Sequence, residues 1–158
     1  MQYFRVDFYN PLSQFIVKIT TPLITPIRKI VPGFAGIDIS SLLLAYLVIL
    51  LKLFLLVALS GNVSFSLIYL AIYASYELLQ SILGLFFFLI IIRVIVSWIA
   101  PAGYNPMIAV ISQITEPIMA KFRQWLPPMS GFDFSSMLVL LIIIFLQRSL
   151  AYYILPLI

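Results

Sequence analysis

The sequence contains no cysteine and no histidine, and only 9% of its 158 residues are charged. Without cysteine there is neither a disulfide framework nor a thiol nucleophile. Without histidine the side chain best suited to proton transfer near neutrality is gone, and zinc sites lose a principal ligand. Five carboxylates remain, none paired locally with another. The expectation is a non-enzymatic chain with no catalytic, cofactor-binding or metal-ligating residues. What is abundant is oil: 64% of the residues are hydrophobic, against roughly 45 to 50% in a globular domain. Nine basic and five acidic side chains cannot cover a water-soluble surface of this size, so the apolar excess faces lipid. The class is integral membrane protein.

A membrane helix needs about 20 mostly apolar residues to cross the hydrocarbon core, and three stretches qualify: 42–59, 78–100 and 137–157. They carry one charge each, Lys52, Arg93 and Arg148. Tyr76, Trp98, Tyr152 and Tyr153 flank them as interfacial anchors. The N-terminus lacks the long apolar run of a cleavable signal peptide.

The chain also repeats itself. A gapless shift lays residues 9–55 onto residues 104–150: Tyr9-Asn10-Pro11 recurs as Tyr104-Asn105-Pro106, and Thr20, Pro22, Arg28 and Asp38 recur as Thr115, Pro117, Arg123 and Asp133. Pro32, Gly36, Ser40 and Ser41 recur as Pro127, Gly131, Ser135 and Ser136. Identities of proline, glycine and charged residues outweigh aliphatic coincidences in an oily chain, so duplication is expected. The units are residues 1–61 and 62–158. The second has a further span before its YNP, ending in RVIVSW at Arg93–Trp98, and the first is expected to lack that leading span.

Between YNP and the next span each unit has an amphipathic stretch. Leu12, Phe15, Ile16, Ile19, Leu23 and Ile27 recur at helical spacing, with Lys18, Arg28 and Lys29 among the polar residues between them. The second copy sets Val110, Ile114, Ile118 and Phe122 against Gln113, Glu116, Lys121 and Arg123. Such segments should lie in the interface with their cations toward headgroups, making Lys18, Arg28, Lys29, Lys121 and Arg123 candidate lipid or partner contacts. Pro22 and Pro117 should divide each segment into two short helices joined at a kink. Asn10-Pro11 and Asn105-Pro106 read as N-cap and first helical residue. Asp38 and Asp133 open the spans as caps, a cation site built from both being the sharper and less favoured alternative.

Of the intramembrane polar residues Lys52, Glu77, Arg93 and Arg148, Lys52 and Arg93 lie near span ends, and snorkelling is their default. Lys52 and Glu77 could instead form an ion pair, and Arg93 shares a face with Ser97. A continuous helix over 62–99 would be about 57 Å long, so a separate interfacial helix starting at Ser64 or Ser66 is expected. Cations gather beside the amphipathic segments, which places those segments in the cytoplasm and the C-terminus outside.

The fold expectation is thus an all-α integral membrane protein, internally duplicated, with three transmembrane helices and two kinked amphipathic interfacial helices. The run RVIVSW, YNP, TEP, LPP and GFDFSS, echoed by FYNP, TTP, VPG and GIDISS, resembles the YggT family of small bacterial inner-membrane proteins, related to the YlmG proteins of plastids and cyanobacteria. The resemblance covers nearly the whole chain. It implies a non-enzymatic membrane protein connected with osmotic-stress tolerance and ion homeostasis in bacteria, and with complex assembly or nucleoid organisation in plastid relatives. The expected partners are the bilayer and a membrane protein or a second copy, with no direct nucleic-acid contact. A scaffold or assembly factor is the first functional reading, and an oligomeric ion channel or transporter component is the alternative.

Overall fold

The computed structural model describes residue 7 and residues 9–33, 38–60, 66–99, 105–125 and 133–157. Arg5, Gly36, Tyr104, Pro127, Gly131 and the side chain of Trp98 fall outside the described residues.

Within the described residues the chain is all-helical. Five helices follow in order: α1 (Pro11–Ile30), α2 (Ile39–Ser60), α3 (Leu67–Ile99), α4 (Pro106–Trp125) and α5 (Phe134–Ile154), with a 3-10 turn at Leu155–Leu157. Three stretches are long and apolar enough to cross a membrane, Ile39–Ser60, Leu67–Ser97 and Phe134–Ile154. A multi-pass membrane protein follows from them.

The starts of α1 and α4 form as capping chemistry requires. Asn10 Oδ1 accepts the Leu12 N–H at 3.0 Å, Asn105 Oδ1 accepts the Met107 N–H at 2.9 Å, and proline follows each cap where its missing donor is harmless. Asn10 does more than cap, because its Nδ2 donates to the Pro106 carbonyl at 2.7 Å and so ties the start of α1 to the start of α4. Asn10→Ala should therefore destabilise the fold by about 1 to 2 kcal/mol, and Asn105→Ala by about half as much. Unfolding in mixed detergent micelles checks the difference.

Three helices differ from the sequence reading. α1 and α4 are each one uninterrupted helix although Pro22, Pro26 and Pro117 lie inside them. Around the α1 prolines the hydroxyls of Thr20, Thr21 and Thr25 donate to the carbonyls of Ile16, Val17 and Thr21 at 2.6 to 2.8 Å, each bonding back one turn within the helix. α3 begins at Leu67 and runs on for 33 residues, about 50 Å, instead of breaking into an interfacial piece and a span. Ser66 Oγ caps it from the Ile68 N–H at 3.3 Å. No proline or glycine interrupts it before Gly84, so nothing ends the helix between them.

α3 is the central post. It packs on α2, α4 and α5, while α1 packs on α2 and α4. One buried cluster joins Ile90, Met119, Val139 and Ile143 from α3, α4 and α5. A second joins Leu53 of α2 to Leu70 and Ala74 of α3. Tyr46 adds a bond from its hydroxyl to the Ala71 carbonyl at 3.1 Å. At the α1 side Ser13 is fully buried and its hydroxyl has no hydrogen-bond partner among the described residues. Ser13→Ala should be neutral or stabilising by up to about 1 kcal/mol, since it removes an unsatisfied group at little change of volume. A loss of stability in the same micelle assay would contradict that.

Candidate functional site

The amphipathic helices α1 and α4 bring most of the cations to one region, but these cations divide into two kinds. Lys18, Lys29 and Lys121 are exposed, with no ion pair among the described residues. Arg28 and Arg123 are structural struts. Arg28 at the end of α1 pairs with Asp38, which opens α2. Arg123 at the end of α4 pairs with Asp133, which opens α5, at 2.9 Å, with its Nε 3.2 Å from the same oxygen. Each aspartate also caps its span: Ser41 Oγ donates to Asp38 at 2.9 Å, and the Ser135 N–H donates to Asp133 at 3.1 Å. Each carboxylate is thus engaged by its own arginine and serine, which leaves the shared cation site without support. Among the described residues no three metal-ligating side chains gather.

Burial alone would raise both aspartate pKa values. Hydrogen bonds from Ser41 and Arg28 outweigh it at Asp38, and bonds from Ser135 and Arg123 outweigh it at Asp133, so both carboxyls lie below the ordinary value. A depressed folded pKa contributes stability that is present above the unfolded value, about 4 for aspartate, and is lost as pH falls through the folded value. Stability should therefore be flat above about pH 5 and decline in acid. The decline should be shallower in Asp133→Asn, read from thermal unfolding across pH.

The second unit adds a network that the sequence reading missed. Arg93 of α3 donates to Thr115 Oγ1 at 2.8 Å and pairs with Glu116 at 2.5 Å. Glu116 also pairs with Arg123 at 2.9 Å. The chain Arg93–Glu116–Arg123–Asp133 thus fastens α3 to α4 and α4 to α5. Arg93 does not snorkel to water, because its side chain is only 18% exposed and two acceptors on α4 hold it. Ser97 does not serve it, since Ser97 Oγ donates to the Val94 carbonyl at 2.7 Å. The signal that could have found Glu116 is its position: it is the one carboxylate in α4, and the first copy has Thr21 in its place.

Toward the other ends of the spans, Lys52 of α2 does pair with Glu77 of α3. Gln147, the residue of α5 that matches Lys52 in the repeat, gives its backbone carbonyl to Gln80 Nε2 at 2.8 Å. Arg148 is exposed on α5 and has no ion pair among the described residues.

Comparison with known proteins decides the family. The CCB3/YggT family profile matches residues 1–59 and 72–154. The chain belongs to the CCB3/YggT family. It is 36% identical over 152 residues to the uncharacterized protein YggT of Escherichia coli, covering 96% of this chain and 78% of that protein. An uncharacterized protein of Pseudomonas aeruginosa is 44% identical over 136 residues, covering 85% of this chain and 69% of its own length. One from Vibrio alginolyticus is 42% identical over 149 residues, with 93% and 78% covered. No solved structure matches. For a YggT-family chain the geometry gives two arginine–aspartate struts, the second of them extended through Glu116 to Arg93, one ion pair between α2 and α3, and three lysines on α1 and α4 with no ion pair among the described residues.

Proposed function

We propose that the chain is a non-enzymatic scaffold or assembly factor of the bacterial inner membrane, built from two copies of one unit, with α1 and α4 lying as amphipathic arms on the cytoplasmic face and the C-terminus in the periplasm. The observation that carries the reading is the division of labour among the cations. Arg28 and Arg123 are spent on holding arm to span, while Lys18, Lys29 and Lys121 are exposed and available to anionic headgroups or to an acidic partner surface. The positive-inside bias supports the orientation. The matching struts, each closing ten residues of chain, support the duplication.

The Lys52–Glu77 pair favours the scaffold over conduction, because a neutralised pair fixes helix neighbours and leaves no mobile charge in the span. The reading includes a role in osmotic-stress tolerance, through assembly of other membrane proteins. In-cell crosslinking followed by mass spectrometry tests the proposal with Lys18→Glu, Lys29→Glu and Lys121→Glu combined. Recovery of membrane-protein partners should fall at least tenfold while the protein still inserts. Unchanged recovery, or ion flux through the purified protein in liposomes that is lost in Lys52→Gln, would overturn it.

A further inference from the structure

α4 turns one face inward and one outward. Val110, Ile111, Thr115 and Met119 are buried, and Met119 packs with Ile90 of α3 and with Val139 and Ile143 of α5. On the other face Pro117, Ala120, Lys121, Gln124 and Trp125 are exposed, Trp125 to 77%. Their steps of three and four set them along one stripe of the helix. This opening does not depend on what stands beside α1. α3 packs on α2, α4 and α5 but not on α1 among the described residues. On the duplication reading, exchanging the two units maps that absent contact onto α4, so a span standing to the first unit as α3 stands to the second would leave this face open.

The outward face carries the uncompensated charge of α4. Glu116, its one carboxylate, is held by Arg93 and Arg123, and Arg123 is turned to Asp133. Lys121 keeps its full charge, with no ion pair among the described residues. One turn on, Phe122 braces the Trp125 ring edge-on, with centroids 5.8 Å apart. Lys121, Gln124 and Trp125 stand at positions i, i+3 and i+4, so an ammonium, an amide and an indole N–H are neighbours on the helix surface, three donors suited to a phosphodiester.

The setting selects a lipid as the occupant. The Arg123–Asp133 strut ties the end of α4 to the start of α5, which is where a span enters the bilayer and where headgroups lie. An exposed indole has its apolar ring and polar N–H suited to that level. One cation beside an aromatic ring and an alanine answers a single phosphate, whereas an acidic protein surface asks for several cations.

We infer that Lys121, Gln124 and Trp125 of α4 bind the phosphate headgroup of an anionic phospholipid. The inference deepens the proposed function, on which its placement in the cytoplasmic leaflet rests. Its test uses the full chain with Trp98→Phe in nanodiscs, which leaves Trp125 as the sole tryptophan. Quenching of its fluorescence by brominated phosphatidylglycerol is compared with quenching by brominated phosphatidylcholine at equal mole fraction. The anionic lipid should associate about fivefold more strongly, the factor that one lysine's attraction to an anionic surface supplies. Lys121→Gln should abolish the preference and Lys121→Arg should keep it. Equal quenching by the two lipids, a preference that survives Lys121→Gln, or one lost in Lys121→Arg would overturn the inference. Quenching by neither lipid would assign the face to protein or water and overturn it too. Inorganic phosphate should weaken the preference no more than chloride at the same ionic strength; a stronger effect would assign the site to a free anion and overturn it. Each such failure leaves the scaffold reading to its crosslinking test, since the lysines would still be open to an acidic partner.

Discussion

Arg93→Ala is expected to loosen α3 from α4 and to destabilise the fold by about 2 to 3 kcal/mol, the range for losing hydrogen bonds to a charged group in a poorly hydrated setting. The guanidinium holds both Thr115 and Glu116. Removing it strips a donor from Thr115, which is fully buried. Glu116 keeps Arg123 and is partly exposed, so the loss stays below that of an isolated buried pair. By comparison Arg28→Ala should cost less than about 1 kcal/mol, because that side chain is 54% exposed and its pair is screened. A double-mutant cycle on Arg93 and Glu116, read by unfolding in mixed micelles, should return a coupling of at least about 1 kcal/mol. Additive effects would mean that the two side chains do not act together.

Ile143→Ala should destabilise by about 2 kcal/mol, and Val48→Ala by less than about 0.5 kcal/mol, although the two positions correspond in the repeat. Large-to-small changes in a water-soluble core usually cost about 2 to 5 kcal/mol. Here the low end applies, because the lost methyl groups exchange protein neighbours for lipid and only packing is forfeited. Ile143 sits with Ile90, Met119 and Val139. Val48 touches no buried cluster and loses almost nothing when shortened. Equal costs at the two positions would contradict the asymmetry between the units.

Much of the architecture was legible because the signals are local. The three spans follow from unbroken apolar length, and the caps at Asn10, Asn105 and Asp133 follow from residue type beside a helix start. Both arginine–aspartate struts lie within ten residues of sequence, yet their arginines read as headgroup contacts, since an arginine on an amphipathic stretch looks the same whether it faces water or a carboxylate. The Lys52–Glu77 pair was one of two readings, and the fold chose it by packing α2 on α3. The pairing of Glu116 is less legible, although its place as the one carboxylate in α4 is a signal. Its partner Arg93 lies 23 residues away, and that arginine's nearness to the end of its span pointed to water. Membrane thickness argues against the continuity of α3, but no breaker in the sequence ends the helix, and it runs unbroken from Leu67 to Ile99.

On the proposed function the exposed lysines of α1 and α4 face the cytoplasm as the working surface. The absence of native cysteine makes it directly measurable, because a single Lys18→Cys, Lys29→Cys or Lys121→Cys supplies the only thiol in the chain. A membrane-impermeant maleimide is added in parallel to spheroplasts and to inside-out vesicles. The account predicts rapid labelling of all three positions in inside-out vesicles and none in spheroplasts. Labelling in spheroplasts at any of the three would contradict it.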